Sequence, residues 1–145
     1  MTGPSTMIGD ESLFHPLTGL YSASYMDRRI EEELGHARRQ HGKICLLRLA
    51  LLPPVLPPDL LKEAADLLRL GLRTADLLGH GHDGQFLVLL PATPLQSAVV
   101  AAQRLQKAVE EWGFDSALSV VLGFRAAEAG GDDSRESLLE RLAGS

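Results

Sequence analysis

Leu77-Leu78-Gly79-His80-Gly81-His82-Asp83-Gly84-Gln85-Phe86-Leu87-Val88-Leu89-Leu90-Pro91 is the stretch on which the fold turns. Residues 76–79 and 85–90 read as two short strands, and the glycine-containing segment 81–84 supplies the backbone freedom a tight hairpin needs. Pro91 lacks the N–H that would continue a ladder and closes the second strand. Working outward from the hairpin, the flanking segments switch to helical periodicity. On the N-terminal side, residues 59–73 carry Leu60, Leu61, Ala64, Leu67, Leu68 and Leu72 at three- and four-residue spacing, an apolar helical stripe. On the C-terminal side, residues 94–112 place Ala98, Ala101, Ala102, Leu105 and Val109 on one face of another helix.

Further out, residues 44–52 form a nearly continuous apolar run interrupted by Arg48, which suits a strand covered on both faces. Pro53-Pro54-Val55-Leu56-Pro57-Pro58 after it is neither helix nor central strand and reads as a stiff connector. Before it, Ser22 or Ser24 can cap a helix to about Gln40, with Tyr25, Met26, Ile30 and Leu34 on one stripe. Residues 117–124 read as a last strand, and a polar glycine-rich loop leads to a short helix at 134–142. The order helix, strand, helix, hairpin, helix, strand predicts an antiparallel or mixed sheet with helices packed on it, an α/β (α+β) two-layer arrangement.

The 145 residues fit a single domain, with 45% hydrophobic and 23% charged side chains, both ordinary for a globular protein. The longest apolar stretches are strand-sized, well short of the roughly 20 residues a membrane helix requires. Residues 1–12 are polar, lack Lys and Arg, and read as a flexible tail without a secretion signal; a cytoplasmic location is the expectation. A formal net charge of −5 offers no attractive field to nucleic acid or anionic lipid, so an anionic ligand must be held by a local arginine cluster. The single cysteine, Cys45, sits inside an apolar run and reads as a buried structural thiol.

From His15 to about Leu142 the chain resembles the bacterial GGDEF (diguanylate cyclase) domain. His15-Pro16-Leu17-Thr18-Gly19-Leu20 is similar to the Asp-Pro-Leu-Thr-Gly-Leu turn that opens such domains, with His for Asp. The hairpin and Phe86-Leu87-Val88-Leu89-Leu90-Pro91 resemble the signature loop and its outgoing strand, and residues 118–123 resemble the later Val-Ser-x-Gly strand. The resemblance implies a sheet related to the palm of nucleotide cyclases and polymerases, normally joining two GTP molecules into cyclic di-GMP across a homodimer.

In that register the signature loop is degenerate and reads His82-Asp83-Gly84-Gln85-Phe86. The family's metal-binding Asp positions fall at Arg48 and Ala50, and the signature acid at Gln85, a poor ligand for a hard cation. The prolines at 53–58 replace a longer segment, and residues 13–145 form one degenerate domain without the family's last helix and its phosphate-contacting Lys. The expectation is a protein that is not an enzyme and needs no cofactor or metal. His80, His82 and Asp83 form a tempting metal cluster, but alternation on a turn more often leaves such side chains in solvent.

The resemblance also implies what is kept. GGDEF domains often carry an inhibitory Arg-x-x-Asp site before the signature, and Arg73-Thr74-Ala75-Asp76 stands in that register, with Arg104 at the position of the family's second arginine. An Arg fork can donate to guanine O6 and N7 while an Asp accepts from the opposite edge. The same residues could equally cap carbonyls and pair with each other at a helix end. The leading expectation is a cyclic di-GMP receptor that binds through Arg73, Asp76 and Arg104, signals to an unidentified protein partner, and pairs into a homodimer on binding ligand. The alternative is a ligand-independent interaction or dimerisation adaptor on the same scaffold. Neither nucleic acid nor a membrane is expected as partner.

Overall fold

In a computed structural model, the structure describes residues 13–143; the expected tail at residues 1–12 lies outside them. Helix α1 (Ala23–Gln40) leads to β1 (Ile44–Leu52), α2 (Pro58–Leu70), β2 (Leu77–His80), β3 (Phe86–Pro91), α3 (Leu95–Asp115), β4 (Val121–Glu128) and α4 (Arg135–Ala143). The strands form one sheet in the order β2-β3-β1-β4, with every neighbouring pair antiparallel.

Period-two alternation along β1 explains its unbroken apolar run. Cys45, Leu47, Leu49 and Leu51 face α2 and α3, packing with Ala64, Ala65, Leu68, Ala98, Ala102, Leu105 and Val109. Ile44 and Leu46 face the other way, onto Met26, Ile30 and Leu34 of α1 and Leu138 and Leu142 of α4. Both faces of the sheet are therefore covered, and the two-layer expectation becomes three layers, helices on each side of a central sheet. Each fully buried Leu contributes on the order of 1.5–3 kcal/mol of apolar transfer, so β1, with Leu46, Leu47 and Leu49 all at 0% exposure, is the thermodynamic centre. Burial also pushes the Cys45 thiol up to about 11, leaving it protonated and unreactive at neutral pH.

The helix ends follow from local chemistry. Ser22 Oγ accepts from Tyr25 N at 3.2 Å and starts α1, while His41 at φ 53 stops it in the left-handed region. Ser134 and Ser137 exchange reciprocal bonds, Ser137 N to Ser134 Oγ at 3.1 Å and Ser134 N to Ser137 Oγ at 2.9 Å, which caps α4. The last strand departs from expectation, starting at Val121 instead of residue 117. Helix α3 runs on to Asp115, Ala117 turns back at φ 57, and Leu118 N donates to Gly113 O at 2.7 Å. Residues 118–120 are thus consumed in reversing the chain before the ladder begins.

The 15–20 turn is stitched to the sheet. His15 Nδ1 accepts from Leu17 N at 3.2 Å, the role a carboxylate plays in an Asx turn. Tyr21 bridges Phe14 on one side and Gly79 of β2 on the other, so this segment covers the outer edge of β2. The approach is close enough that a Cβ on Gly79 would lie 2.8 Å from Tyr21 O and 2.4 Å from Met26 Cγ.

Candidate functional site

The arginines singled out by sequence come from two elements and meet at the C-terminal end of α2. Gly71 ends that helix, and the following residues turn through Asp76 N to Arg73 O at 3.0 Å. Asp76 closes the turn from within: its Oδ2 accepts from Arg73 N at 2.9 Å and from Arg73 Nε at 3.3 Å, and its Oδ1 from Arg73 Nη2 at 2.9 Å. The carboxylate is 2% exposed and its guanidinium partner 56% exposed, so the pair presents Arg73 to solvent and keeps Asp76 underneath. This bond holds the Arg73 guanidinium above its ordinary pKa. Arg73 Nη2 also donates to Thr93 Oγ1 at 2.7 Å and to Pro91 O at 3.4 Å, tying the loop to the end of β3. Arg104, between Ala102 and Leu105 in the middle of α3, donates Nη2 to Gly71 O at 3.1 Å. The capping and mutual pairing weighed from sequence both occur, with Arg73 bonded to Asp76 and Arg104 bonded to the carbonyl of Gly71.

Sequence reasoning missed the rest of this neighbourhood. Arg73, Thr74 and Asp76 line a cavity of about 510 Å³ together with Arg69, Phe14 and Tyr21. A volume of this size is in the range of small-molecule sites. The available signal was two aromatics flanking the 15–20 turn, but their approach to residue 76 depends on the long-range bridge from Tyr21 to β2.

The hairpin tip forms a second centre. Gly84 N bonds Gly81 O at 3.0 Å and Gly81 N bonds Gln85 O at 2.7 Å, with Gly84 at φ +84, the pattern of a three-residue loop with a glycine bulge. Asp83 Oδ1 accepts from Gln85 N at 2.9 Å, and its Oδ2 accepts from Arg48 Nε and Nη2 at 3.1 and 3.0 Å. His82 Nε2 lies 2.6 Å from Asp27 Oδ2. Phe86 is buried at the start of β3. With Leu87, Leu139 and Leu142 these residues enclose a smaller cavity of about 220 Å³.

This centre does not suit the divalent ions that the resemblance implies. Asp83 already answers a guanidinium, Asp27 faces an imidazole, and Arg48 stands directly across from Arg125 of β4 in the ladder. A cation would meet arginine where hard-ion sites require oxygen ligands. Among the described residues no group of three or more His, Cys, Asp or Glu side chains is placed to hold a metal. His80 and His82 have different partners: His80 is buried, 2.8 Å from Thr18 Oγ1, and packs against His15 with ring centroids 4.2 Å apart and planes tilted by 31°.

No family model matches the chain. It is 28% identical over 143 residues to the diguanylate cyclase DgcP of Pseudomonas aeruginosa, an alignment covering 90% of this chain and 21% of that protein. The chain thus spans about a fifth of that curated relative's length. Among solved structures, the diguanylate cyclase SiaD of Pseudomonas aeruginosa, in complex with its activator SiaC, superposes with a TM-score of 0.78 at 23% identity, over 97% of this chain and 58% of that one. The coiled coil and GGDEF domain of DgcB from Caulobacter crescentus, in complex with c-di-GMP, gives 0.76 at 15% identity, over 97% and 81%. The FimX GGDEF domain from Pseudomonas aeruginosa gives 0.77 at 22%, over 91% and 90%.

These findings correct the expectation that the chain is not an enzyme. The curated relative is named a diguanylate cyclase and the structures sharing the fold include such cyclases, so the likeness points to an enzyme family. The substitutions at Arg48 and Gln85 are single positions, whereas the alignment covers 90% of the chain. Among the described residues, no helix is long and apolar enough to cross a membrane. The chain has the fold of these GGDEF domains and is similar in sequence to part of a diguanylate cyclase.

Proposed function

We propose that this domain binds cyclic di-GMP at the C-terminal end of α2, through Arg73, Asp76 and Arg104, and that the bound state is read by a protein partner. The observation that carries the reading is the convergence of Arg73 and Arg104, from separate elements, on the loop 71–76. On a chain of net charge −5, such local pairing of cations is what an anionic dinucleotide requires.

The free geometry suggests how binding proceeds. Arg73 Nε and Nη2 are engaged by Asp76 and Thr93, while Nη1 has no hydrogen-bond partner among the described residues. A guanine approaching the outer edge takes Nη1 first and then draws Nη2 from Thr93, so that two parallel N–H groups reach O6 and N7. Asp76 first acts by holding the guanidinium in plane, and it reaches the base's N–H edge only as Arg73 swings outward. Arg104 exchanges its bond to Gly71 O for a phosphate oxygen or stacks on the second guanine. A ligand held at an exposed loop is available to a second copy of the chain, which makes a ligand-bridged homodimer the expected complex. Two compared proteins give context: DgcB was solved with c-di-GMP and SiaD with its activator SiaC.

Equilibrium dialysis of cyclic di-GMP against the wild type and an Arg73→Ala/Arg104→Ala double variant tests the assignment. Retention by the wild type and loss in the folded double variant is the expected result. Equal retention by both would remove these arginines from the site.

A further inference from the structure

Phe14, Tyr21 and Tyr25 form a column of rings beside the Arg73 loop. Phe14 and Tyr21 stack with centroids 5.5 Å apart and an interplanar angle of 22°, and Tyr21 and Tyr25 lie 4.6 Å apart at 36°. Arg28 closes one end of the column, its guanidinium carbon 5.0 Å from the Tyr25 centroid. The other end is Phe14, which is 49% exposed and lines the same 510 Å³ groove as Arg69, Arg73 and Asp76. The column is anchored, because Tyr21 O accepts from His80 N at 3.0 Å and Tyr21 is bridged to Gly79. Its position relative to β2, and through β2 to Asp76, is therefore fixed by backbone bonds.

We infer that the exposed Phe14 ring is a stacking platform for a purine base of the nucleotide held by Arg73. A half-exposed aromatic at the end of a rigid column, facing a groove whose other side carries two guanidinium groups, matches the chemistry of an aromatic base attached to a phosphate. The flat ring takes the π-face of a base and the cations take the charge. Arg69, whose nearest carboxylate Asp66 is 3.9 Å away, is the loosely held cation that reaches the phosphate. Division of labour follows from this arrangement. Arg73 and Asp76 read the guanine edge, while Phe14 accepts any purine face, because stacking does not distinguish bases by hydrogen bonding.

The inference rests on the assignment of cyclic di-GMP to Arg73, and the test separates the two. Calorimetric titrations of cyclic di-GMP into the wild type, Phe14→Ala, Phe14→Leu, Phe14→Trp and Arg73→Ala are compared, with thermal melts to establish folding. The expected result is an affinity loss on the order of tenfold in both Phe14→Ala and Phe14→Leu, with recovery in Phe14→Trp and loss of measurable binding in Arg73→Ala. Phe14→Leu guards against unfolding, since it keeps apolar bulk and removes only the ring. Wild-type affinity in both Phe14→Ala and Phe14→Leu, with binding lost in Arg73→Ala, overturns the platform and leaves the Arg73 reading standing. Absence of binding to the wild type overturns both. Substituting cyclic di-AMP adds a further arm: Phe14→Ala should weaken its residual binding by a similar factor, and an effect confined to the guanine ligand would contradict a stacking role.

Discussion

Arg48, in the middle of β1, grips Asp83 at the tip of the β2–β3 hairpin with both Nε and Nη2, at 3.1 and 3.0 Å. Strand and turn are thereby tied across 35 positions of sequence, at the register position where the resemblance places a metal-binding Asp of the family and this chain carries Arg48. The two side chains are 29% and 51% exposed, so water screens the pair. A double-mutant cycle with Arg48→Ala and Asp83→Ala, followed by urea unfolding, should give a coupling below about 1 kcal/mol that shrinks as salt is raised. A coupling well above that and insensitive to salt would mean that the pair is far less solvated than its exposure indicates.

Gly79 marks the contact on which the N-terminal turn depends. A Cβ there would lie 2.4 and 2.7 Å from Met26 Cγ and Sδ and 2.8 Å from the Tyr21 carbonyl oxygen. The methionine can move but the backbone oxygen cannot do so cheaply. Gly79→Ala should cost at least about 2 kcal/mol by overpacking, whereas Gly131→Ala, with nothing within 4 Å, should be within about 0.5 kcal/mol of wild type. Chemical denaturation of both variants checks the contrast.

His80 makes stability depend on pH. Burial, followed by the charge of neighbouring His15, lowers its pKa below the usual 6.5 in the folded protein. The unfolded chain then binds a proton at higher pH than the native state does. The His80 contribution is therefore fully present above about 6.5 and falls away as pH drops from there through the lower folded pKa. Denaturant midpoints between pH 8 and pH 5 should decline, and His80→Gln should flatten that decline. Thr18→Val, which strips the oxygen 2.8 Å from His80 Nε2, should cost about 1–3 kcal/mol by leaving a buried ring nitrogen unpaired. An unchanged pH slope in His80→Gln would assign the dependence to other groups.

Local signals were legible where a residue's own chemistry decides the outcome. Ser22 starts α1, residues 44–52 form the central strand, and the glycines at 81 and 84 make the hairpin, each as its sequence reads. What sequence does not display is any feature created by distant segments meeting. The strand expected at residue 117 begins at Val121 because α3 overruns and Gly113 captures Leu118 N, a tertiary competition that an apolar run does not reveal. Arg73 and Arg104 were found through register with a family, yet Thr93, Arg69, Phe14 and Tyr21, which complete their surroundings, come from segments up to 79 positions apart. The aromatic column stands beside β2 because Tyr21 pairs with Gly79.

The account's central claim is that the Arg73 loop recognises a cyclic dinucleotide, and its most direct test is calorimetric titration of cyclic di-GMP into the wild-type chain, with sedimentation of the same samples. The account predicts saturable binding at micromolar ligand, lost in an Arg73→Ala variant that is still folded at the assay temperature, with a shift from monomer to dimer as ligand is added. No heat of binding to the folded wild type at tens of micromolar ligand would contradict it.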